Sequence, residues 1–384
     1  MGAHVMMPEL FDLAGLGLAV AASFYAVAAW LLPARVAKVR RGFVLPPRIS
    51  ILKPLYGFEA RLEANLTSLA RSATDNVQVL CGVRDPNDAA LAVVARVKAA
   101  FPQCRIEVVV DPRVHGHNLK VSNLINLYER ATGDVIVIAD SDILVSDDYV
   151  ARVTAPLSDS RVGLVTCMYR GRASNAFISR LGSLFIDTWF IPSVRVASHL
   201  GDRSFGFGAT LALRRDTLEA IGGLACMKDQ LADDYWLGEL IHRLGLSTVL
   251  SRVIVETDIA EASFSDLWLR EIRWMRTIRS LNPVGFAATF ITHTFPMLLL
   301  ALLIDHSDAV VAVAAIGLLA RIGLQRRAAE PALWLLPLRD TLSLIEWAFA
   351  LTGRTVTWRD ATLSLESDPA AIASASLPNE ADLL

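Results

Sequence analysis

Four short segments carry side chains that together could run one reaction: Val83-Arg84-Asp85, Asp140-Ser141-Asp142, Asp233-Asp234-Tyr235 and Arg270-Glu271-Ile272-Arg273-Trp274. Asp140 and Asp142 are two hard oxygen ligands directly after the apolar run Val135–Ala139. That arrangement can hold Mg2+ or Mn2+ and leave coordination positions for a diphosphate. The ion would act as a Lewis acid on a departing nucleoside diphosphate. Asp and Ser also favour turns and caps, so the D-x-D gains its meaning from the other segments. Asp233-Asp234 precedes a helical stretch, Tyr235 to Leu244. A carboxylate there can take the proton of an attacking hydroxyl, although negative charge at a helix N-terminus is favourable by itself. Asp234 is read as the general base and Asp233 as its support.

Arg270 and Arg273 stand three apart, on one helix face, with Trp274 beside them. Guanidinium forks suit phosphate oxygens, and these two are read as diphosphate contacts. The rival reading is a juxtamembrane helix whose arginines meet headgroups and whose Trp268 and Trp274 join an aromatic belt, a role given to Arg276 and Arg279. Asp85 opens Asp85-Pro86-Asn87-Asp88, a turn followed by a helix cap, and its functional reading is recognition of a uridine. Lys120, in His115-Gly116-His117-Asn118-Leu119-Lys120, is a candidate phosphate or ribose contact, while the two histidines lack a third ligand. Phe205-Gly206-Phe207-Gly208-Ala209-Thr210 lacks the spacing of a phosphate loop and is read as backbone approaching the sugar or the acceptor.

These residues need a frame. Arg48–Leu52, Val77–Val83, Arg105–Val110, Val135–Ala139 and Val162–Met168 are rich in Val and Ile, like buried strands. Glu59–Arg71, Asp88–Ala100 and Lys120–Arg130 have helical spacing between them. The alternation predicts a mostly parallel sheet covered by helices, with ligands beyond the carboxyl ends of the strands, where Asp85 and Asp140 stand.

The 384-residue chain is 53% hydrophobic and 20% charged. With a mean hydropathy of +0.43, it is too apolar for an ordinary soluble enzyme. Its net charge of −2 argues against a nucleic-acid partner. The four cysteines are widely spaced with no C-x-x-C, and read as free thiols. Leu10 to Leu32, charged only at Asp12, is long enough to span a bilayer and reads as a retained anchor. Arg35, Lys38, Arg40 and Arg41 follow it and place what comes next in the cytoplasm. Val284 to Ile304 is a second spanning candidate, and Ala309 to Leu324 could return as the other arm of a hairpin. Pro331 to Leu351 contains Arg339, Asp340 and Glu346, so it either faces protein or water, or lies re-entrant or interfacial. The stretch after Asp360 reads as a mobile end.

The chain resembles family-2 glycosyltransferases of the ceramide glucosyltransferase group, including the bacterial enzymes of hopanoid biosynthesis. Ile49-Ser50-Ile51-Leu52-Lys53-Pro54-Leu55, Lys120-Val121-Ser122-Asn123-Leu124, Asp140-Ser141-Asp142, Ala232-Asp233-Asp234-Tyr235, Arg270-Glu271-Ile272-Arg273-Trp274 and Thr357-Trp358-Arg359 carry the likeness over nearly the whole chain. Asp111–Asn118 and Val162–Gly171 look like the hopanoid branch. The resemblance implies a GT-A fold, that is, a Rossmann-like mixed α/β sheet with N- and C-terminal transmembrane helices. It also implies inversion, a UDP-sugar donor (UDP-glucose or UDP-N-acetylglucosamine), a divalent cation and a membrane lipid acceptor, ceramide or a hopanoid polyol. Asp85 would lie near the nucleotide, Asp140 and Asp142 near metal and sugar, Asp234 as base, and Arg270, Arg273 and Trp274 at the diphosphate and acceptor. The expected organisation is an anchor over 1–34, a catalytic domain over 46–262, an amphipathic interfacial helix over 263–283, a membrane region over 284–355 and a tail over 356–384. The expected setting is a bacterial inner membrane with the catalytic domain in the cytoplasm. The rival functions are a processive polysaccharide synthase, which would need more spanning helices, and a non-catalytic membrane scaffold.

Overall fold

A computed structural model describes residues 3–37, 48–174, 176–201, 205–353, 355–358 and 361–364. Lys38, Arg40 and Arg41, on which the orientation reading rests, lie outside the described residues, as does Arg359. The described residues divide into two compact units: those within Arg35–Tyr169 and Gly201–Asp258 form one, and those within Met1–Ala34, Arg170–Leu200 and Ile259–Glu366 form the other.

The first unit is organised by an eight-stranded sheet. In chain order its strands are β1 (Ile49–Pro54), β2 (Val77–Val83), β3 (Arg105–Val110), β4 (Val135–Ala139), β5 (Ile143–Leu144), β6 (Val162–Ala173), β7 (Thr210–Arg214) and β8 (Ser247–Ile259). Their spatial order is β3-β2-β1-β4-β7-β6-β8-β5. β3, β2, β1 and β4 run parallel, with Leu52 of β1 opposite both Leu80 and Ile138. β7 is antiparallel to β4 and β6, which makes the sheet mixed.

Period-two alternation divides the apolar side chains between the sheet's faces. Ile49, Ile51, Val79, Cys81 and Val137 pack with Leu66 and Leu69 of the Leu62–Ser72 helix and Val94 and Val97 of the Ala90–Ala100 helix. Leu52, Leu80, Ile136 and Ile138 pack on the other face with Val121 and Leu124 of the Leu119–Tyr128 helix and Leu237 and Ile241 of the Asp233–Arg243 helix. Burial on both faces explains why these strands are continuous apolar runs. The chain winds outward from β1 to β3 and then returns to place β4 on β1's other side. The reversal leaves a crevice beyond the carboxyl ends of β1 and β4, where open α/β sheets bind ligands.

The second unit is helical. Asp12–Leu31, within the Ala3–Leu31 helix, and Asp308–Gln325 are each long and apolar enough to cross a membrane. They lie side by side through small residues: the Ser23 hydroxyl donates to the Val313 carbonyl at 2.9 Å, and a side chain at Gly323 would meet the Trp30 indole. Close backbone approach at Gly and Ser is how helices associate in lipid. The single span expected over Val284–Ile304 is instead two segments, Pro283–Thr292 and Thr294–Ile304, bent by 71°. The reason is local. Pro296 has no N–H for the Thr292 carbonyl and its ring clashes with it, so a continuous helix fails there.

The Leu336–Ala350 helix turns Arg339, Asp340 and Glu346 toward protein, leaving 1%, 6% and 0% exposed, while Leu338, Ile345 and Phe349 are exposed. Of the readings open for this segment, the one in which its charges face protein holds. Arg321 donates to both Asp340 oxygens (3.1 and 2.9 Å), and Arg339 pairs with Glu271 (2.9 Å) and Glu346 (2.5 Å). Part of the stretch read as a mobile end is ordered as well: β10 (Ala361–Ser364) pairs antiparallel with β9 (Thr355–Trp358).

Candidate active site

Two lysines organise the crevice between β1 and β4. Lys53, fully buried at the end of β1, donates from Nζ to the carbonyl of Asp140 at 2.6 Å. Burial lowers the pKa of its ammonium, and the charges of Asp142, Cys81, Asp140 and Glu59 oppose that fall. Lys120, in the first turn of the Leu119–Tyr128 helix, places Nζ 2.7 Å from the Asp140 carboxylate and 3.7 Å from that of Asp233. Burial works against its charge, but Asp140, Asp233 and Asp234 outweigh burial and hold its pKa above the ordinary lysine range.

Asp140 and Asp142 take different surroundings from the same turn. The Asp140 carboxylate is about one-third exposed, at 32%. The Asp142 carboxylate accepts the Thr257 hydroxyl at 2.9 Å, and burial followed by the charge of Asp140 pushes its pKa up to about 7. Ser141, between them, donates to Glu59 at 2.6 Å. Asn65 ties the turn to β8 by donating to the Ser141 carbonyl (3.3 Å) and to Asp258 (2.8 Å), which also pairs with Arg61 at 3.2 Å.

Asp140 and Asp142 fit a divalent cation. They are hard donors from one turn, and the like charges that raise Asp142 are what a cation would relieve. Among the described residues no group of three or more His, Cys, Asp or Glu forms a metal centre. Mg2+ in phosphoryl sites characteristically takes only one or two carboxylates and completes its shell with phosphates and water, so two suffice.

Asp234 faces the same crevice from the start of the Asp233–Arg243 helix. Its carboxylate accepts the N–H of Gly208 at 2.8 Å and that of Tyr235 at 2.9 Å. Burial, then the charge of Asp233, raises its pKa to about 6, while Lys120 pulls the other way. Gly206 is required here, and Gly208 fits closely. A Cβ on Gly206 would collide with the Asp234 carbonyl, and one on Gly208 would lie 3.3 Å from the Asp234 carboxylate and 3.5 Å from the Lys120 ammonium. The ladder between β7 and β4 carries this loop in, placing the Ala209 carbonyl 3.3 Å from the Asp140 N–H.

The other anticipated residues take separate places. Asp85 is exposed past the end of β2, and its carboxylate accepts the N–H of Asn87 at 2.8 Å, closing the turn. Asp88 accepts the N–H groups of Gly57 and Ala90, pinning the loop after β1. His115 and His117 diverge, toward Asn126 at 2.7 Å and Asp229 at 2.9 Å respectively.

Arg270, Arg273 and Trp274 belong to the helical unit, on the Phe264–Leu281 helix. Arg270 lies over the Trp274 ring at 5.1 Å and pairs with Glu261 at 2.6 Å. Its Nη2 lies 3.6 Å from the Glu271 carboxylate, and its Nε is buried without a hydrogen-bond acceptor. Arg273 and Trp274 are half-buried on the same helix.

Lys53, Glu59, Asn65, Thr257 and Asp258 were not singled out from the sequence as parts of the site. A lysine inside the apolar strand Ile49-Ser50-Ile51-Leu52-Lys53-Pro54 was the signal available for the first. The others come together only through tertiary structure.

A family model described as Glycosyl transferase family 21 matches residues 15–371. Ceramide glucosyltransferase 3 of Caenorhabditis elegans is 22% identical over 262 residues, 68% of this chain and 57% of that protein. Ceramide glucosyltransferase 1 of the same organism is 22% identical over 238 residues, 62% of this chain and 51% of that protein. The chain thus spans about half the length of these curated relatives. Among solved structures, the mannosyltransferase PcManGT from Pyrobaculum calidifontis, in complex with GDP-Man and Mn2+, superposes with a TM-score of 0.58 at 18% identity. The match covers 90% of this chain and 97% of that one, and at such identity it is a likeness of fold. The expected resemblance to the ceramide glucosyltransferase group and the expected GT-A architecture with apolar terminal helices are borne out.

Proposed function

The chain belongs to glycosyl transferase family 21, and from that premise we propose that it moves a hexose from UDP-glucose or UDP-N-acetylglucosamine to a hydroxyl of a membrane lipid, ceramide or a hopanoid polyol, with inversion. The observation that carries this reading is the pairing of Asp234, a carboxyl raised to about 6, with a separate D-x-D turn in one crevice. A base needs a pKa near working pH, and the leaving diphosphate needs positive charge.

In this reading Asp234 takes the proton of the acceptor hydroxyl. The acceptor oxygen bonds to the anomeric carbon from the face opposite UDP, and the bond from that carbon to the diphosphate oxygen breaks. Gly208 and Tyr235 hold the carboxylate in place through their N–H groups. Lys120 stabilises the ionised state of Asp234 and offers an ammonium to the donor's ribose or phosphates. Asp140 and Asp142 would hold Mg2+ or Mn2+, which when bound supplies Lewis-acid stabilisation of the leaving group. Lys53 fixes the Asp140 backbone from below. Asp85 is assigned to the nucleotide, Arg270 and Arg273 to the diphosphate, and Trp274 to the diphosphate and acceptor. The Arg270 Nε, buried without an acceptor, supports its assignment. The bilayer supplies the acceptor, with the catalytic side facing the cytoplasm of a bacterial cell.

The test is a product assay with purified protein in detergent and Mg2+ or Mn2+. It crosses the two donors with ceramide and a polyhydroxylated hopanoid and resolves products by mass spectrometry. A glycosylated lipid is expected. UDP release without a glycosylated lipid would overturn the acceptor assignment, and neither product in any pairing would overturn the reaction.

A further inference from the structure

We infer that Arg170, Arg195 and Arg327 form a binding site for the phosphate of an anionic phospholipid, at the level where the two long apolar helices end. The inference rests on residence in a membrane and not on the sugar transfer. All three residues belong to the helical unit.

Independent contacts bring together the elements that carry them. The Ile191–Leu200 helix lies along the last turns of the Ala3–Leu31 helix, with the Ser193 and Tyr25 hydroxyls 3.0 Å apart and His199 Nε2 2.9 Å from the Pro33 carbonyl. Arg195 is one turn before His199, on the same face. Arg327 follows the Asp308–Gln325 helix, places its guanidinium 5.7 Å from the centre of the Trp30 ring and donates to the Trp30 carbonyl. Asp187 supplies the third link. Its carboxylate accepts the N–H of Gly171 (3.1 Å) and that of Ala329 (2.7 Å), tying the strand end that carries Arg170 to the turn that carries Arg327.

The cluster has more cationic than anionic charge. Burial, then Arg327, then Arg170 lower the pKa of Arg195, and no carboxylate figures among the causes. Arg170 is half-buried and its Nε has no hydrogen-bond acceptor. Glu330, the nearest carboxylate in sequence to Arg327, lies 3.5 Å from Arg180. Arginines at a membrane boundary are ordinary, and most are solvated headgroup contacts. Here half-burial of two of them and an orphaned donor mark a shaped site. Planar forks match phosphate oxygens, and the Trp30 indole places the cluster at headgroup depth.

The experiment uses the full chain, delipidated in neutral detergent. Bound lipid is followed by native mass spectrometry during titration with phosphatidylglycerol, with phosphatidylcholine, inorganic phosphate and UDP as parallel arms. Tight phosphatidylglycerol binding is expected, with weaker phosphatidylcholine binding and no measurable competition by inorganic phosphate. Arg195→Gln and Arg327→Gln should each weaken it by about tenfold, the scale of a lost charge-assisted hydrogen bond. Arg195→Lys keeps the charge without the fork and should fall between, and Arg326→Gln, at an exposed neighbour, should match the parent. Unchanged phosphatidylglycerol affinity in properly folded Arg195→Gln and Arg327→Gln would overturn the site. Loss of UDP binding with lipid binding intact would also overturn it, by giving these arginines to the donor.

Discussion

Both units bury charge, and they do so to opposite ends. In the helical unit Arg321–Asp340 and Arg339–Glu271–Glu346 are sets closed to water, with every member no more than 8% exposed, and Arg270 adds a longer contact to Glu271 at 3.6 Å. In the sheet unit the buried charge opens onto a crevice. Lys120 spans Asp140 and Asp233, Asp140 is 32% exposed, and Asp142 and Asp234 titrate well above an ordinary carboxyl. A closed set holds helices together where water is scarce. An open set stores unfavourable charge that substrate, metal or proton can relieve. Access from the crevice, more than burial, separates chemistry from architecture in this molecule.

The sharpest way to test that contrast is Asp234→Asn. If the open set is chemical, turnover should fall by about 10²–10⁴-fold, the usual worth of a general base. UDP-sugar binding, followed by calorimetry, should survive, and the thermal midpoint should hold or rise because a strained charge is gone. Loss of binding instead would make Asp234 architectural.

Arg339→Ala probes the closed set. It leaves Glu346 buried without its cation and Glu271 with only Arg270 at 3.6 Å, and breaking such a set costs about 3–5 kcal/mol. A large drop in the detergent-solubilised thermal midpoint is expected. Full thermal stability with turnover lost would erase the distinction between the units.

The pH profile separates the two more gently. Asp234 must be ionised to act, so turnover should rise with pH up to about 6 and then level off. One unit below that pKa, activity should be down about tenfold, because the ionised fraction is down by that factor. A profile flat from pH 5 to 8 would remove Asp234 as the base.

The smallest effect sets the baseline. Arg48 and Asp134 form a surface pair at 3.1 Å, 63% and 44% exposed. Arg48→Ala should change stability by about 0–1 kcal/mol. A larger shift in the thermal midpoint would mean that exposure does not predict which charges matter here.

Much of the open set is legible in the sequence. Asp140-Ser141-Asp142 and Asp233-Asp234 sit at the junctions of apolar strands or helices with polar turns, where α/β proteins keep their chemistry. The central strands β1, β2 and β4 are readable because both faces are buried, which leaves apolar runs rich in Val and Ile. Lys53 was less so, since only the pairing of β1 with β4 shows which carbonyl it holds. Asn65 and Asp258 lie 193 positions apart and meet through packing alone. The closed set was harder still. Hydropathy counts Arg339 and Glu346 as penalties and cannot see that each is the other's solvent. The bend at residues 292–294 was within reach, because Pro296 is visible in the sequence, but the apolar run outweighed it.

The contact between Ser23 and Val313 joins positions 290 apart. At bacterial or eukaryotic translation rates of roughly 5–20 residues per second, the first helix is finished roughly 15 to 60 seconds before that partner emerges from the ribosome. For that interval the Ser23 hydroxyl is without the Val313 carbonyl to which it donates in the folded chain. The helix pair is therefore among the last contacts of biogenesis to form, and a nascent chain interrupted before residue 313 carries a long apolar helix still waiting for its neighbour.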